Sequence, residues 1–285
     1  MILNRTALLF SLAMLYTSAT YAEEYYGYDL SSTYEQEQCY CTCEDSPPNM
    51  CHPSALSIGP EYYYAERTRH GGTKQNGNAV GIRITYDYIK RYCFYIGGQA
   101  FYGGGTLTGH TGSGSKIKSR LTDALIEVSG GYTFQMKCYP YAAITPYVGY
   151  GYFSEVNKFV HPSPLPIKFT TEYNYFAYGF LSSVYINSWL TVGLNARFRA
   201  PWQPRCKVSD DPDFDNLRQR IGECFQYRIE VPLTYTGHLI CNWLEVAIVP
   251  FYEQRFYGKR ENFPFDFLKT NYNIYGANLQ FIFRF

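Results

Sequence analysis

Apolar and polar residues alternate along most of this chain with a period of two. Between residues 79 and 88, Val80, Ile82, Ile84, Tyr86 and Tyr88 fall on one side and Arg83, Thr85 and Asp87 on the other. The last ten residues, GANLQFIFRF, do the same, with Ala277, Leu279, Phe281, Phe283 and Phe285 opposite Asn278, Gln280, Ile282 and Arg284. Strict alternation marks a strand with unlike faces. Ten such segments are predicted, at 55–68, 79–88, 92–102, 122–134, 141–153, 169–186, 190–199, 225–235, 239–254 and 275–285. The sixth is the least regular, because both of its faces are rich in aromatics.

The connections carry a second pattern. Short turns follow the even-numbered segments ("IKR", "QMKCYP", "NSW", "TGH"), whereas long polar stretches follow the odd-numbered ones, "GGGTLTGHTGSGSKIKSR" among them. Antiparallel strands joined alternately by short and long connections form an up-and-down sheet, and an even number of them can close. The predicted fold is therefore all-β, a transmembrane antiparallel barrel of about ten strands occupying 55–285, with short periplasmic turns and long external loops. A missed or surplus hairpin would make the count eight or twelve. In such a barrel the last strand is expected to pair with the first.

Composition agrees. The 285 residues include 31 Tyr, 20 Phe and 24 Gly but only 4 Met. Mean hydropathy is negative, as it must be where only alternate residues meet lipid. The first 22 residues read as a secretory signal peptide: Arg5 supplies a positive start, 7–16 a short apolar run, and Thr20-Tyr21-Ala22 a small-residue cleavage site. Residues 23–54 are then a polar, cysteine-rich periplasmic extension. Without Arg5 the net charge of +1 falls to about zero, which argues against a nucleic-acid partner.

The C-terminal NLQFIFRF, aromatic at alternate positions, resembles the assembly signal of bacterial outer-membrane proteins. SGGYTF and PYVGYGYF are similar to hairpin sequences of small outer-membrane barrels. The resemblance implies an outer-membrane location in a Gram-negative-type bacterium, with surrounding lipid and the barrel-assembly machinery as partners. It also implies an assembly role for Phe281, Phe283 and Phe285.

Nine cysteines are many for such a barrel. Cys39, Cys41, Cys43 and Cys51 lie in the extension, and Cys93, Cys138 and Cys241 lie beside the short turns. All seven are expected on the periplasmic side, an odd number, which leaves at least one for another chain or free. Cys206 and Cys224 fall in the fourth long connection and are expected to form a disulfide there. This usage resembles the disulfide-cross-linked envelope proteins of chlamydia-type bacteria. Cross-linking to other envelope proteins is the role it implies. The Cys-x-Cys-x-Cys spacing suits zinc poorly, and no metal or cofactor is implied.

Ten charged residues point inward on this register: Glu61, Arg83, Asp87, Asp123 and Glu127 in the first half, then Arg197, Arg199, Arg228, Glu230 and Glu245. Mixed signs fit a salt-bridged plug in a narrow lumen or a constriction ring that selects solutes. The expected role is a surface and envelope component with at most a narrow pore. The alternatives are a porin-like channel and an adhesin that uses the long loops. Outer-membrane proteases of ten strands set paired acids and a His at the external rim. Here His70, His110 and Asp123 share no motif, so no enzyme activity is expected.

Overall fold

The computed structural model describes residues 52–90, 92–135, 142–164, 166–187, 189–211, 216–236, 244–264 and 266–285. The signal peptide, the extension as far as Cys51, and Cys138 and Cys241 lie outside the described residues.

Among the described residues there are fourteen β segments: β1 (Ser54–Arg69), β2 (Thr73–Tyr88), β3 (Phe94–His110), β4 (Lys116–Tyr132), β5 (Phe134–Gln135), β6 (Ala142–Val160) and β7 (Lys168–Asn187), followed by β8 (Leu190–Val192), β9 (Asn195–Ser209), β10 (Leu217–Arg220), β11 (Cys224–Glu230), β12 (Leu233–Tyr235), β13 (Leu244–Tyr257) and β14 (Thr270–Arg284). Three staves are interrupted. β4 continues as β5, β8 as β9, and β10 through β11 to β12, which reduces fourteen segments to ten staves. One break falls at Pro232, which has no N–H for a ladder. Its carbonyl instead accepts from Gly193 N at 2.9 Å, in the gap between β8 and β9.

Every neighbouring pair is antiparallel, and the ring is closed. β14 pairs with β1 on one side (Tyr62 opposite Ala277) and with β13 on the other (Ile248 opposite Leu279). Closure is what hydrocarbon demands, since an open edge would leave unpaired N–H and C=O groups with no water to satisfy them.

The exterior carries a broad apolar band. Val80, Ile82 and Ile84 on β2, Ile126 and Val128 on β4, Val148 on β6 and Ile248 on β13 are all exposed. Aromatic rings border it on both sides. Toward the short turns Phe94, Tyr132 and Phe134 touch in series, and Trp189 meets Tyr235. Toward the loops, Tyr150, Phe176 and Trp202 form one row, and Tyr227, Tyr252 and Tyr275 another. An apolar band between two aromatic girdles is the exterior of a membrane-spanning barrel.

The structure corrects the expected long loops. About 9–11 residues suffice for a tilted strand to cross a bilayer, yet β1 has 16, β4 has 17 and β7 has 20. Much of what reads as loop is strand that continues beyond the second girdle. GGGTLTGH completes β3, and the turn to β4 is only 111–115. The first connection shrinks to 70–72, where Gly71 and Gly72 have φ of 93° and 84°. A residue with a Cβ adopts such values reluctantly. In this outer extension the alternation persists with its sense inverted: Thr106, Thr108, Lys118 and Arg120 face out, while Leu107, Ile117 and Leu121 are buried inside.

The Cys206–Cys224 disulfide is also corrected, since both residues are free thiols. Their segment is a hairpin rather than a loose loop. Its register sets Gln219 opposite Cys206 and Tyr257 opposite Cys224. Cys224 thus lies five positions beyond the partner of Cys206, roughly 15 Å along a strand, whereas a disulfide needs Cα atoms within about 7 Å. Cys206 is instead fully buried in the inner core of the extension.

Candidate functional site

Inward positions at the level of the apolar band converge on one connected network of charges. Glu61 on β1 is its hub. Arg83 of the adjoining β2 grips it with two bonds, Nε at 2.7 Å and NH2 at 3.1 Å. Arg228, reaching from β11, adds two more at 3.1 and 2.9 Å, and Asn278 Nδ2 donates a fifth at 3.2 Å. One carboxylate between two bidentate guanidiniums has its lone pairs satisfied, the condition for burying such charges.

Arg228 carries the network onward. It donates to Glu230 at 2.6 Å and to Glu253 of β13 at 3.3 Å. Glu253 also accepts from Arg255 Nε at 2.7 Å. The far end of Arg255 crosses to Asp123 on β4 at 2.9 Å and Glu155 on β6 at 3.1 Å. A second branch runs from Glu253 to Arg199 at 3.7 Å, and from Arg199 and Arg197 to Glu127 at 3.6 and 3.3 Å. Tyrosines complete the acids: Tyr175 donates to Glu127 at 2.9 Å, and Tyr272 and Tyr257 donate to Glu155 at 2.7 and 3.2 Å. The guanidiniums of Arg228, Arg83 and Arg255 lie over the rings of Phe251, Phe101 and Phe153, 3.5, 4.7 and 4.8 Å from the centroids.

The arrangement fills the lumen. At the level of Glu61, Arg228 and Arg255 the free space is about 10 Å³, room for about one water molecule. Toward the short turns it opens into a vestibule of about 200 Å³ lined by Asp87, Arg83, Arg197 and Glu230. There Tyr95 donates to Asp87 at 2.7 Å, and Glu245 pairs with Arg284 at 2.9 Å. A site of this kind ties strands on opposite sides of the wall to one another through their side chains.

Of the ten inward charges read from the alternation, Glu61, Arg83, Asp123, Glu127, Arg197, Arg199, Arg228 and Glu230 join this network, and Asp87 and Glu245 lie nearer the rim. Glu155, Glu253 and Arg255 were missed. The signal was available in the continued alternation of Phe153, Glu155 and Asn157, and of Phe251, Glu253, Arg255 and Tyr257, all buried. Asp123 is bonded to Arg255, while His110 faces outward and His70 lies in a turn, so these three do not assemble. Cys93 is a free, partly buried thiol beside the β2–β3 turn. Phe281 and Phe285 are exposed and Phe283 is half-buried, and Phe285 N donates to Ser54 O at 3.0 Å.

No family model and no curated protein matches the chain. Among solved structures it is similar to the outer-membrane protease OmpT of Escherichia coli, with a TM-score of 0.48 and 11% identity over 81% of this chain and 96% of that one. It is also similar to the transport unit of the autotransporter AIDA-I of Escherichia coli, at 0.44 and 14% over 94% and 97%. The translocator domain of NalP of Neisseria meningitidis gives 0.44 and 9% over 81% and 88%. All three are outer-membrane β-barrels. At this level of similarity the assignment of the fold rests on the closed register and the banded exterior described above.

Proposed function

We propose that this chain is an integral outer-membrane protein acting as a surface and envelope component, with a lumen that does not conduct. No catalytic role is assigned. The observation that carries the reading is the sealed lumen, in which acids and arginines of nearly equal number neutralise one another and leave about 10 Å³. A selective pore needs a continuous water path and groups free to exchange ligands with the solute, whereas these are bonded to each other. In this reading the cysteine-rich segment before β1 links the barrel to other envelope proteins through disulfides. Phe281, Phe283 and Phe285 present the last strand to the assembly machinery.

Planar-bilayer recording of the refolded protein tests the closed lumen. The bilayer is expected to stay at baseline conductance at neutral pH. Stepwise openings would bring the porin-like channel to the front. Non-reducing gels of thiol-blocked envelopes test the linkage, with reductant-sensitive high-molecular-weight bands expected and monomer alone counting against it.

A further inference from the structure

The interior of the outer extension holds two arginines that no carboxylate neutralises. Arg67 and Arg69 stand two positions apart on β1 and so share its inward face, opposite Tyr272 and Thr270 of β14. Arg67 is 8% exposed, and the Nε atoms of both are buried without a hydrogen-bond partner. Arg67 donates through NH1 to the neutral amide of Gln75 at 2.9 Å. The two guanidiniums lie over the rings of Tyr272 and Phe169. Among the described residues neither arginine forms an ion pair, whereas every arginine of the network at membrane level does.

Both arginines border one small cavity, together with Asn157 of β6, Thr171 of β7 and Thr270 of β14. Asn157 is 1% exposed, and neither polar atom of its amide has a partner. Glu155 reaches the same cavity, but its carboxylate is already taken by Arg255, Tyr257 and Tyr272. Phe267, from the connection between β13 and β14, is buried against it.

Size and charge select the occupant. The space is about 10 Å³, roughly one water-sized sphere, so phosphate, sulfate and carboxylate groups are too large. A water would fit but would leave two like charges buried and unpaired, which is costly. The network beneath holds one more carboxylate than arginine. Arg67 and Arg69 therefore leave the filled interior with one positive charge in excess, and a single monovalent anion balances it. Guanidinium N–H groups, the Asn157 amide and the threonine hydroxyls are the donors such an ion needs.

We propose that this cavity is a chloride site, in which one halide ion is the counter-ion of Arg67 and Arg69 and ties β1 to β6, β7 and β14. Arg67 also borders a larger space of about 610 Å³ reached by the exposed Lys74 and Lys116, which gives an ion from solution a route inward. The site lies outside the membrane-level network and does not depend on whether the lumen conducts.

The test uses the refolded full-length protein in nonionic detergent, with sodium chloride exchanged for sodium gluconate at constant ionic strength. Each tenfold rise in chloride above its dissociation constant should raise the thermal unfolding midpoint by about 3–5 °C, and bromide should act alike. Asn157→Asp places a carboxylate in the cavity wall. It should abolish the chloride response, with a midpoint in gluconate no lower than that of the unaltered protein. Lys259→Gln, outside the cavity, should keep the full response. Crystals of the unaltered protein grown in bromide should show an anomalous scatterer between Arg67 and Asn157. If Asn157→Asp does not fold, the anion titration and the bromide density of the unaltered protein decide alone. A midpoint that does not distinguish chloride from gluconate, a full chloride response in folded Asn157→Asp, or a cavity without bromide density would each overturn the proposal.

Discussion

On β4, Val128 and Ile126 face outward at one end of the strand, and Arg120 and Lys118 face outward at the other. The inward side of the same strand runs from Glu127 through Asp123 to Leu121 and Ile117, all buried. The half near the short turns is apolar outside and charged within, whereas the half near the loops is polar outside and largely apolar within. One strand satisfies two solvents by exchanging the roles of its faces at the girdle. The membrane half can bury charge because lipid takes its apolar side, and a closed ring leaves the interior to be filled by bonds between side chains. The outer half is a water-soluble barrel with a core of Leu107, Leu121, Phe153, Tyr173 and Cys206.

The sharpest way to break this contrast is to remove a hub of the inner network. Arg228→Ala would leave Glu61, Glu230 and Glu253 each short of a partner in a site nearly closed to water. A loss of about 3–5 kcal/mol is expected for a broken buried pair, read as a fall in the urea midpoint of the reconstituted barrel. A midpoint within error of the unaltered protein would mean that the network is hydrated rather than sealed.

Next in size is a charge placed on the two exteriors. Val128→Arg should cost about 2–4 kcal/mol, the range for arginine at mid-bilayer on a barrel's lipid face. Thr108→Arg, outward on the extension, should stay within about 0.5 kcal/mol. Equal costs in the same unfolding assay would erase the boundary between the halves. A small effect is also expected for the exposed pair Lys158–Asp210, at 3.1 Å. Lys158→Ala should change stability by about 0–1 kcal/mol, and a loss matching that of Arg228→Ala would show that burial is not what gives the inner network its weight.

The membrane half was legible in the sequence because its outward residues are apolar. Leu279, Phe281 and Phe283, or Val80, Ile82 and Ile84, announce a strand whatever lies opposite. The inward charges followed from that register alone, and so did Glu61 and Arg228. The outer half was not legible in the same way, since Thr, Asn and Lys on the wet face are also what loops contain. The remaining signal was a sparse inward row such as Leu107, Ile117 and Leu121, diluted by Gly105 and Ser119. Glu155 and Arg255 were lost with it, because they lie where the strands pass out of the apolar band. The supposed disulfide failed for the same reason: an imagined loose loop lets Cys206 meet Cys224, but a hairpin of fixed register does not.

Spin labels placed singly at Val128, Ile126, Arg120 and Lys118, with native cysteines replaced, would test the two-solvent barrel most directly. In lipid vesicles, labels at 128 and 126 are expected to collide with dissolved oxygen and exclude a water-soluble nickel complex, and labels at 120 and 118 to do the reverse. Oxygen-dominated collisions at 118, or nickel-dominated collisions at 128, would contradict the account.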